Sequence, residues 1–387
     1  MWSDDLWDLG EEMDEGDPQK WWILKPGMAD RGMGLRLFHT KDDLQMIFEE
    51  FEQDDSDADD AEGEESSHDT TVVTSQLRHF VIQEYLPNPL LLDPAEVPLD
   101  GALKPQPEGL LGHKFHLRVY CVASGALTVY IYTRILALFS AVPYIPPAYE
   151  DTDINANLAA HLTNTSLQTE RGEAGVRLLD EMIGCHILPS PDAATQSAGA
   201  HQPKPPRTMG QAIDVDQIRI VGKESIEGLQ QDTNHLSLAD VEDLRTQIAE
   251  VLGETFKAAI EMSVHFQPLP NAFELYGVDF LVTHTPSPTS ERKFQVKLLE
   301  VNSEPAIELT GPRLTWILED LFRAIGKVCV APFFRDPSLV PKEEEEKWEV
   351  GQTRDALRKC LDLQASWGRH SFRDKPQETM KLFAMLA

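Results

Sequence analysis

Hydrophobic and polar positions between Phe273 and Ala306 follow the two-residue rhythm of strands. FELYGVDFLV and VKLLEVNSEPA are apolar, β-rich runs on either side of THTPSPTSER, whose prolines and hydroxyl residues mark a turn, so a hairpin is predicted. The first run carries Asp279. The second carries Glu300 and Asn302, two residues apart and therefore on one face. Hard oxygen donors converging from adjacent strands suit Mg2+, which takes carboxylates together with substrate phosphate oxygens. Taken singly, each acid reads more simply as the polar end of a strand.

The same reading organises the rest of the chain. WWILKPGMADRGMGLRLF predicts a strand ending at Lys25, a glycine-rich loop, and a second strand from Leu35 to Phe38. Gly27, Gly32 and Gly34 permit close approach of a ligand to backbone, and Lys25 and Arg31 bracket the loop with positive charge. Such a loop can cradle phosphate, although tight turns use glycine for their own sake. Lys41 to Phe51 predicts a helix capped from Thr40, with Leu44, Ile47, Phe48 and Phe51 on one side. RHFVIQEYLPNPLLL is a buried strand that runs into Tyr85 and Leu86 and halts at Pro87, either a hinge or an edge strand.

A proline-rich surface loop is expected over Asp93 to Gly112. GHKFHLRVYCVA and GALTVYIYTRILALF then form a hairpin turning at Ser124 and Gly125. In its first strand Lys114, His116 and Arg118 alternate with Phe115, Leu117 and Val119, so one face is apolar and the other basic. Two amphipathic helices flank the opening hairpin: Ser237 to Glu261, capped by Ser237, and Arg313 to Val328. A low-complexity insertion is expected over about 188–210, and the residues after Pro332 read as a charged, partly helical tail.

Charge changes this picture locally. The formal net charge is −31, which disfavours direct nucleic-acid binding. Much of it lies in the acidic leader 1–20, in the run Glu49 to Asp69 and in Glu343 to Glu346, and a disordered acidic insert is expected over about 52–72. The four cysteines show no CxxC pair, which argues against a zinc site or a disulfide scaffold and fits a reducing compartment. No apolar run reaches membrane-spanning length and the first residues are acidic, so a cytoplasmic protein is expected.

With these pieces in order, the chain resembles the tubulin-tyrosine-ligase-like branch of the ATP-grasp enzymes. The motifs that carry the likeness are WWILKPGMADRGMGL, VIQEYLPNPLLL, KFHLRVY, HLTN at His161 to Asn164, GVDF and LLEVNSEPA, spread over Trp21 to Pro332. The resemblance implies an α+β ATP-grasp fold of mostly antiparallel sheets with flanking helices, the nucleotide held between two subdomains. Residues 21–93 would form part of the central subdomain and 113–335 the C-terminal one, joined by the loop 94–112. It also implies ATP and Mg2+ as cofactors. Lys25 would contact phosphates under the loop with Gly32 and Gly34, while Gln83, Glu84 and Leu86 meet the adenine edge, partly through backbone, with Lys114 nearby. His161, Thr163 and Asn164 would line the nucleotide and substrate side, and Arg118 would hold an acidic substrate group or phosphate. Asp279, Glu300 and Asn302 would be the metal ligands, and Arg134 a loose match to a further substrate-side arginine.

The activity implied is a carboxylate–amine ligation through an acyl phosphate, adding an amino acid to a protein, with the tubulin tail as the family's default acceptor. Three departures stand out. His116 occupies a position where the family usually has an acid. Only some twenty residues precede WWILKP, where the family has further structure that grips tubulin, so a piece of a longer protein or a lost tubulin grip is expected. The acidic inserts work against attraction to an acidic tail. The context of WWILKP and QEYLPNPLLL most resembles fungal members, which carry this module behind a SurE-like domain and are associated with cytoplasmic mRNA-processing bodies. The resemblance therefore implies an alternative: a nucleotide-binding, catalytically altered module among mRNA-decay proteins.

Overall fold

The computed structural model describes residues 7–16, 20–27, 34–57, 79–99, 103–147, 158–163, 172–189, 234–262, 264, 266–286, 290–305, 307–334 and 348–363. Its architecture is α+β, with two antiparallel sheets flanked by helices, as expected.

Helix α1 (Trp7–Glu15), strands β1 (Trp22–Pro26) and β2 (Arg36–Phe38), helix α2 (Lys41–Asp57) and strand β3 (Phe80–Glu84) build the smaller unit, with strand order β2-β1-β3. Alternation sorts the side chains of β1. Trp22 and Leu24 join Phe38, Leu44, Ile47 and Phe51 in one core, against which Leu9 and Met13 of α1 pack. The acidic leader thus includes a docked helix, tied by Lys20 to Glu12 at 2.5 Å and by Lys41 to Asp14. Helix α2 starts as predicted, with Asp43 N–H donating to Thr40 Oγ1 at 3.1 Å and Thr40 N–H to Asp43 at 3.0 Å. It continues beyond Phe51 to Asp57, into the start of the acidic run. The opposite face of the sheet, with Trp21, Ile23, Leu35 and Leu37, meets Tyr85, Leu91, Tyr144 and Leu162. Lys25 alternates onto that face.

The larger sheet is organised around β4 (Phe115–Ser124). It contains β5 (Thr128–Tyr132), β6 (Leu136–Phe139), β7 (Val176–Leu178), β8 (Phe273–His284), β9 (Phe294–Asn302), β10 (Thr353–Arg354) and β11 (Leu357–Asp362). Strand β8 pairs along one edge of β4 from His116 to Ser124. On the other edge β6 pairs with Phe115 to Arg118 and β5 with Cys121 to Ser124. Phe115, Leu117, Val119 and Cys121 point into a core completed by Val278 and Phe280 and by Leu244, Ile248 and Leu252 of α3 (Leu238–Glu261). As predicted, Ser237 caps α3, accepting from Asp240 N–H at 3.1 Å. On the other face Tyr120 and Val122 pack under Ile317, Leu321 and Ile325 of α4 (Thr315–Ile325). That face is apolar only over half the length of β4. The remainder presents His116 and Arg118, with Lys114 just before the strand.

Two expectations are corrected. Of the tail read as partly helical, the described residues 348–363 supply β10 and β11 and no helix, and β11 pairs antiparallel with β5, while the rest of the tail lies outside the described residues. A register shift between Lys359 and Leu361 brings the adjacent Cys360 and Leu361 into one core while Leu357 enters the other. The bulge breaks the alternation that would have announced a strand. The proline-rich loop is not wholly superficial either, since Asp93 and Glu96 are buried. Asp93 accepts from Ala95 and Leu111 N–H at 2.8 Å, and Glu96 accepts from His186 N–H at 2.7 Å, which satisfies both carboxylates in place of water. The four cysteines are free and buried. Among the described residues no helix is long and apolar enough to cross a membrane.

Candidate active site

The predicted hairpin is β8 paired with β9, and its register brings the acids together. Asp279 lies opposite Arg118 on β4 and opposite Glu300 on β9, while Asn302 lies opposite Gly277. Opposed residues share a face, so Arg118, Asp279 and Glu300 look the same way. A register shift beside Asp279, where Phe280 pairs with Leu298, leaves Leu299 as the extra residue next to these acids. Gly277 is required by close approach: a Cβ there would lie 2.7 Å from Pro305 Cβ and 3.3 Å from Arg118 Cδ.

Arg118 grips Asp279 with two bonds, Nη2 to Oδ2 at 2.9 Å and Nε to Oδ1. His116, two residues back on the same face, is buried. Its Nδ1 lies 2.5 Å from Thr163 Oγ1, and its Nε2 lies 3.6 Å from Asp279 Oδ1 and has no hydrogen-bond partner among the described residues. Burial foremost, then the Arg118 charge, lowers the His116 pKa to about 3, so the imidazole is neutral. Asn302 Nδ2 donates to Glu300 Oε1 at 3.2 Å, leaving the amide oxygen and the second carboxylate oxygen to other partners.

At the other end of the row Lys114 is buried, donating to Tyr85 Oη at 3.3 Å with its ammonium 4.4 Å from that ring's centroid. Tyr85 Oη also contacts His161 Nδ1 at 3.0 Å. Burial, and then the charge of Lys25, lower the Lys114 pKa to about 7. Burial likewise lowers that of Lys25, which feels the opposing pull of Glu300 and Asp279. Burial and then Lys114 bring His161 down to about 4. Two amines that repel one another lie next to carboxylates, an arrangement chemically suited to an anion beside a cation.

Of the other expected residues, Gln83 pairs with Ile23 and so shares the face of Lys25. Glu84 pairs with Trp22 on the opposite face, exposed and 3.2 Å from Lys20, so only its backbone remains available to a base. Leu86 is half-buried beyond the strand end, and Gly34 adopts φ 71°. Gly32 and Asn164 lie outside the described residues. Arg134 donates to Asp320 at 3.1 Å and sits 4.9 Å from the Trp316 ring, a pairing with α4. Tyr85 was not expected in the site. Its only trace in the sequence is a tyrosine where an apolar strand gives out.

The sequence matches the tubulin-tyrosine ligase family over residues 5–183 and 219–338, well over half of the chain. The chain belongs to the tubulin-tyrosine ligase family. It is 33% identical over 345 residues to the Saccharomyces cerevisiae protein called "Probable tubulin--tyrosine ligase PBY1", and 32% identical over 342 residues to the Schizosaccharomyces pombe protein called "Probable tubulin--tyrosine ligase C12B10.04". These alignments cover 86% and 85% of this chain but 36% and 64% of those proteins, so the chain spans under two thirds of the length of either. A solved structure, described as the C-terminal domain of K. lactis Pby1, an ATP-grasp enzyme interacting with the mRNA decapping enzyme Dcp2, is similar at TM-score 0.47 and 28% identity, over 93% of this chain and 67% of that one.

Among the described residues no three His, Cys, Asp or Glu side chains gather as a metal cluster. A Mg2+ site does not need one. Two carboxylates and an amide oxygen leave room for phosphate oxygens and water, and the residues present fit that ion. The paired lysines, Lys25 and Lys114, likewise fit a polyphosphate. The strand β11, by contrast, lies outside the stretch that matches the family.

Proposed function

We propose that the chain is an ATP- and Mg2+-dependent carboxylate–amine ligase that adds an amino acid to a protein carboxylate, tubulin being the family's acceptor. The observation that carries this reading is one polar strip, Lys114 just before β4 and His116 and Arg118 on it, beside Asp279 and Glu300, with Lys25 contributed from the smaller sheet. Bound ATP and Mg2+ would supply phosphoryl transfer to a carboxylate and neutralisation of the charge that builds during it. Lys25 and Lys114 would hold phosphate oxygens, Asp279, Glu300 and Asn302 would hold the cation, and Arg118 would orient an anionic group. No protein nucleophile is needed.

The deciding experiment incubates the protein with ATP, Mg2+, labelled amino acids and detyrosinated tubulin. Incorporation that falls at least a hundredfold in Glu300→Gln supports the ligase. A second reading is favoured by His116, whose neutral ring replaces the family's acid: a nucleotide-binding module with altered chemistry, serving an assembly of mRNA-decay proteins in cytoplasmic mRNA-processing bodies. Nucleotide binding without incorporation into tubulin or other offered acceptors selects that reading.

A further inference from the structure

Asp279 cannot keep its present partner and do all that the proposed reaction asks of this strip. Both of its oxygens are engaged by Arg118, the one arginine on the polar half of β4. A guanidinium committed to Asp279 is withheld from an anionic substrate, and a carboxylate gripped at both oxygens resists a second cation.

The neighbouring imidazole offers a way out. If Thr163 Oγ–H donates to His116 Nδ1 at 2.5 Å, the ring proton sits on Nε2, which is buried, has no hydrogen-bond partner among the described residues, and lies 3.6 Å from Asp279 Oδ1. The other tautomer would turn a lone pair toward the Asp279 carboxylate. An orphaned buried N–H is costly, so the ring has a standing reason to close on that oxygen. An acid at 116 would place a second negative charge there instead.

We propose that His116 is a positioning residue for Asp279, held by Thr163 and poised to take over Asp279 Oδ1 when Arg118 leaves for an anionic substrate and a divalent cation binds. The inference rests on the reading of Asp279 as a cation ligand. It gives the departure at 116 a purpose: Asp279 exchanges a charged partner for a neutral one. The guanidinium released, two residues along the same face, then reaches the anion. Binding linkage makes the exchange reciprocal, so an anion on Arg118 tightens the cation and the cation tightens the anion.

The test titrates Mn2+ alone, by calorimetry and by the spin-resonance signal of the free ion, into the wild-type chain and a set of variants. Arg118→Gln removes the competing charge and is expected to tighten Mn2+ roughly tenfold. His116→Leu is expected to weaken Mn2+ severalfold in the wild-type background and more than tenfold in the Arg118→Gln background, because the ring then holds Asp279 unaided. His116→Gln, which retains a neutral donor, restores most of that loss, with melting curves checking that each variant is folded. Inorganic tripolyphosphate should bind more tightly to wild type with Mn2+ present than absent, and this coupling should vanish in Arg118→Gln. Weaker Mn2+ binding in Arg118→Gln, or effects of the two substitutions that simply add, overturns the exchange while leaving the cation site intact. Failure of Mn2+ to bind wild type and Arg118→Gln alike overturns both the exchange and the assignment of Asp279 to a cation.

Discussion

Lys114 shows how a single residue is tuned by its surroundings. Burial and the neighbouring Lys25 bring its pKa to about 7 from the ordinary 10.5. An unfolded chain therefore holds a proton between those values that the native chain has released, so native stability contributed by this group rises with pH across that window and is lost below it. A bound polyphosphate acts in the opposite direction on the lysine, favouring its charged form. Nucleotide binding at pH 8 is thus expected to take up close to one proton, seen as a dependence of calorimetric heat on buffer ionisation enthalpy, and Lys114→Met should abolish most of that uptake. Identical heats in all buffers for the wild type would remove Lys114 from the phosphate site. At this scale the sequence was legible where chemistry and alternation coincide: Lys114, His116 and Arg118 were readable as one face, and Glu300 and Asn302 as another. Tyr85 was not readable, because its role depends on Lys114 and His161, distant in sequence and joined to it only by folding. Neither was the Arg118–Asp279 pair, which follows from strand register rather than from either residue.

Elements were legible in proportion to their regularity. The β8–β9 hairpin, the β4–β5 hairpin and α3 with its Ser237 cap all followed patterns of period two or 3.6 with proper punctuation. Strand β11 did not, since its bulge and its charged neighbours mask the apolar set Leu357, Cys360 and Leu361. Yet this strand closes the β5 edge and lends side chains to both faces of the large sheet, Leu357 being fully buried under α4's core. Helix α3 presses close enough that a Cβ at Gly253 would meet the Cys360 carbonyl at 3.2 Å. Leu357→Ala is therefore expected to cost about 2–5 kcal/mol in chemical denaturation, the range for deleting a buried leucine side chain. Nucleotide affinity should hold, because Leu357 lies on the half of that face given over to packing. An unchanged denaturation midpoint would mean that β11 is dispensable to the sheet.

At the scale of the whole molecule, the site draws on two sheets that share no strand pairing among the described residues. Lys25 comes from β1, while Arg118, Asp279 and Glu300 come from the larger sheet and Lys114 from the residue just before β4, and a small apolar cluster packs Trp21 and Ile23 against Leu91 and Tyr144. That cluster is modest beside the two cores of the large sheet, and Lys25 is pulled by Glu300 and Asp279 while repelled by Lys114. A polyphosphate lying between Lys25 and Lys114 turns this repulsion into a shared attraction, and so ties the sheets together. A ligand at a hundred times its Kd stabilises the native state by about 2.7 kcal/mol, enough to suppress partial openings that separate the units. Hydrogen exchange should accordingly slow on adding Mg-ATP in β1 and β3 as well as in β4 and β8. Lys25→Ala should keep some protection in β4 and β8 and lose it in β1 and β3. Protection confined to the large sheet in the wild type would show that the nucleotide sits on that sheet alone, and Lys25 would then be a charge held near the site without spanning it.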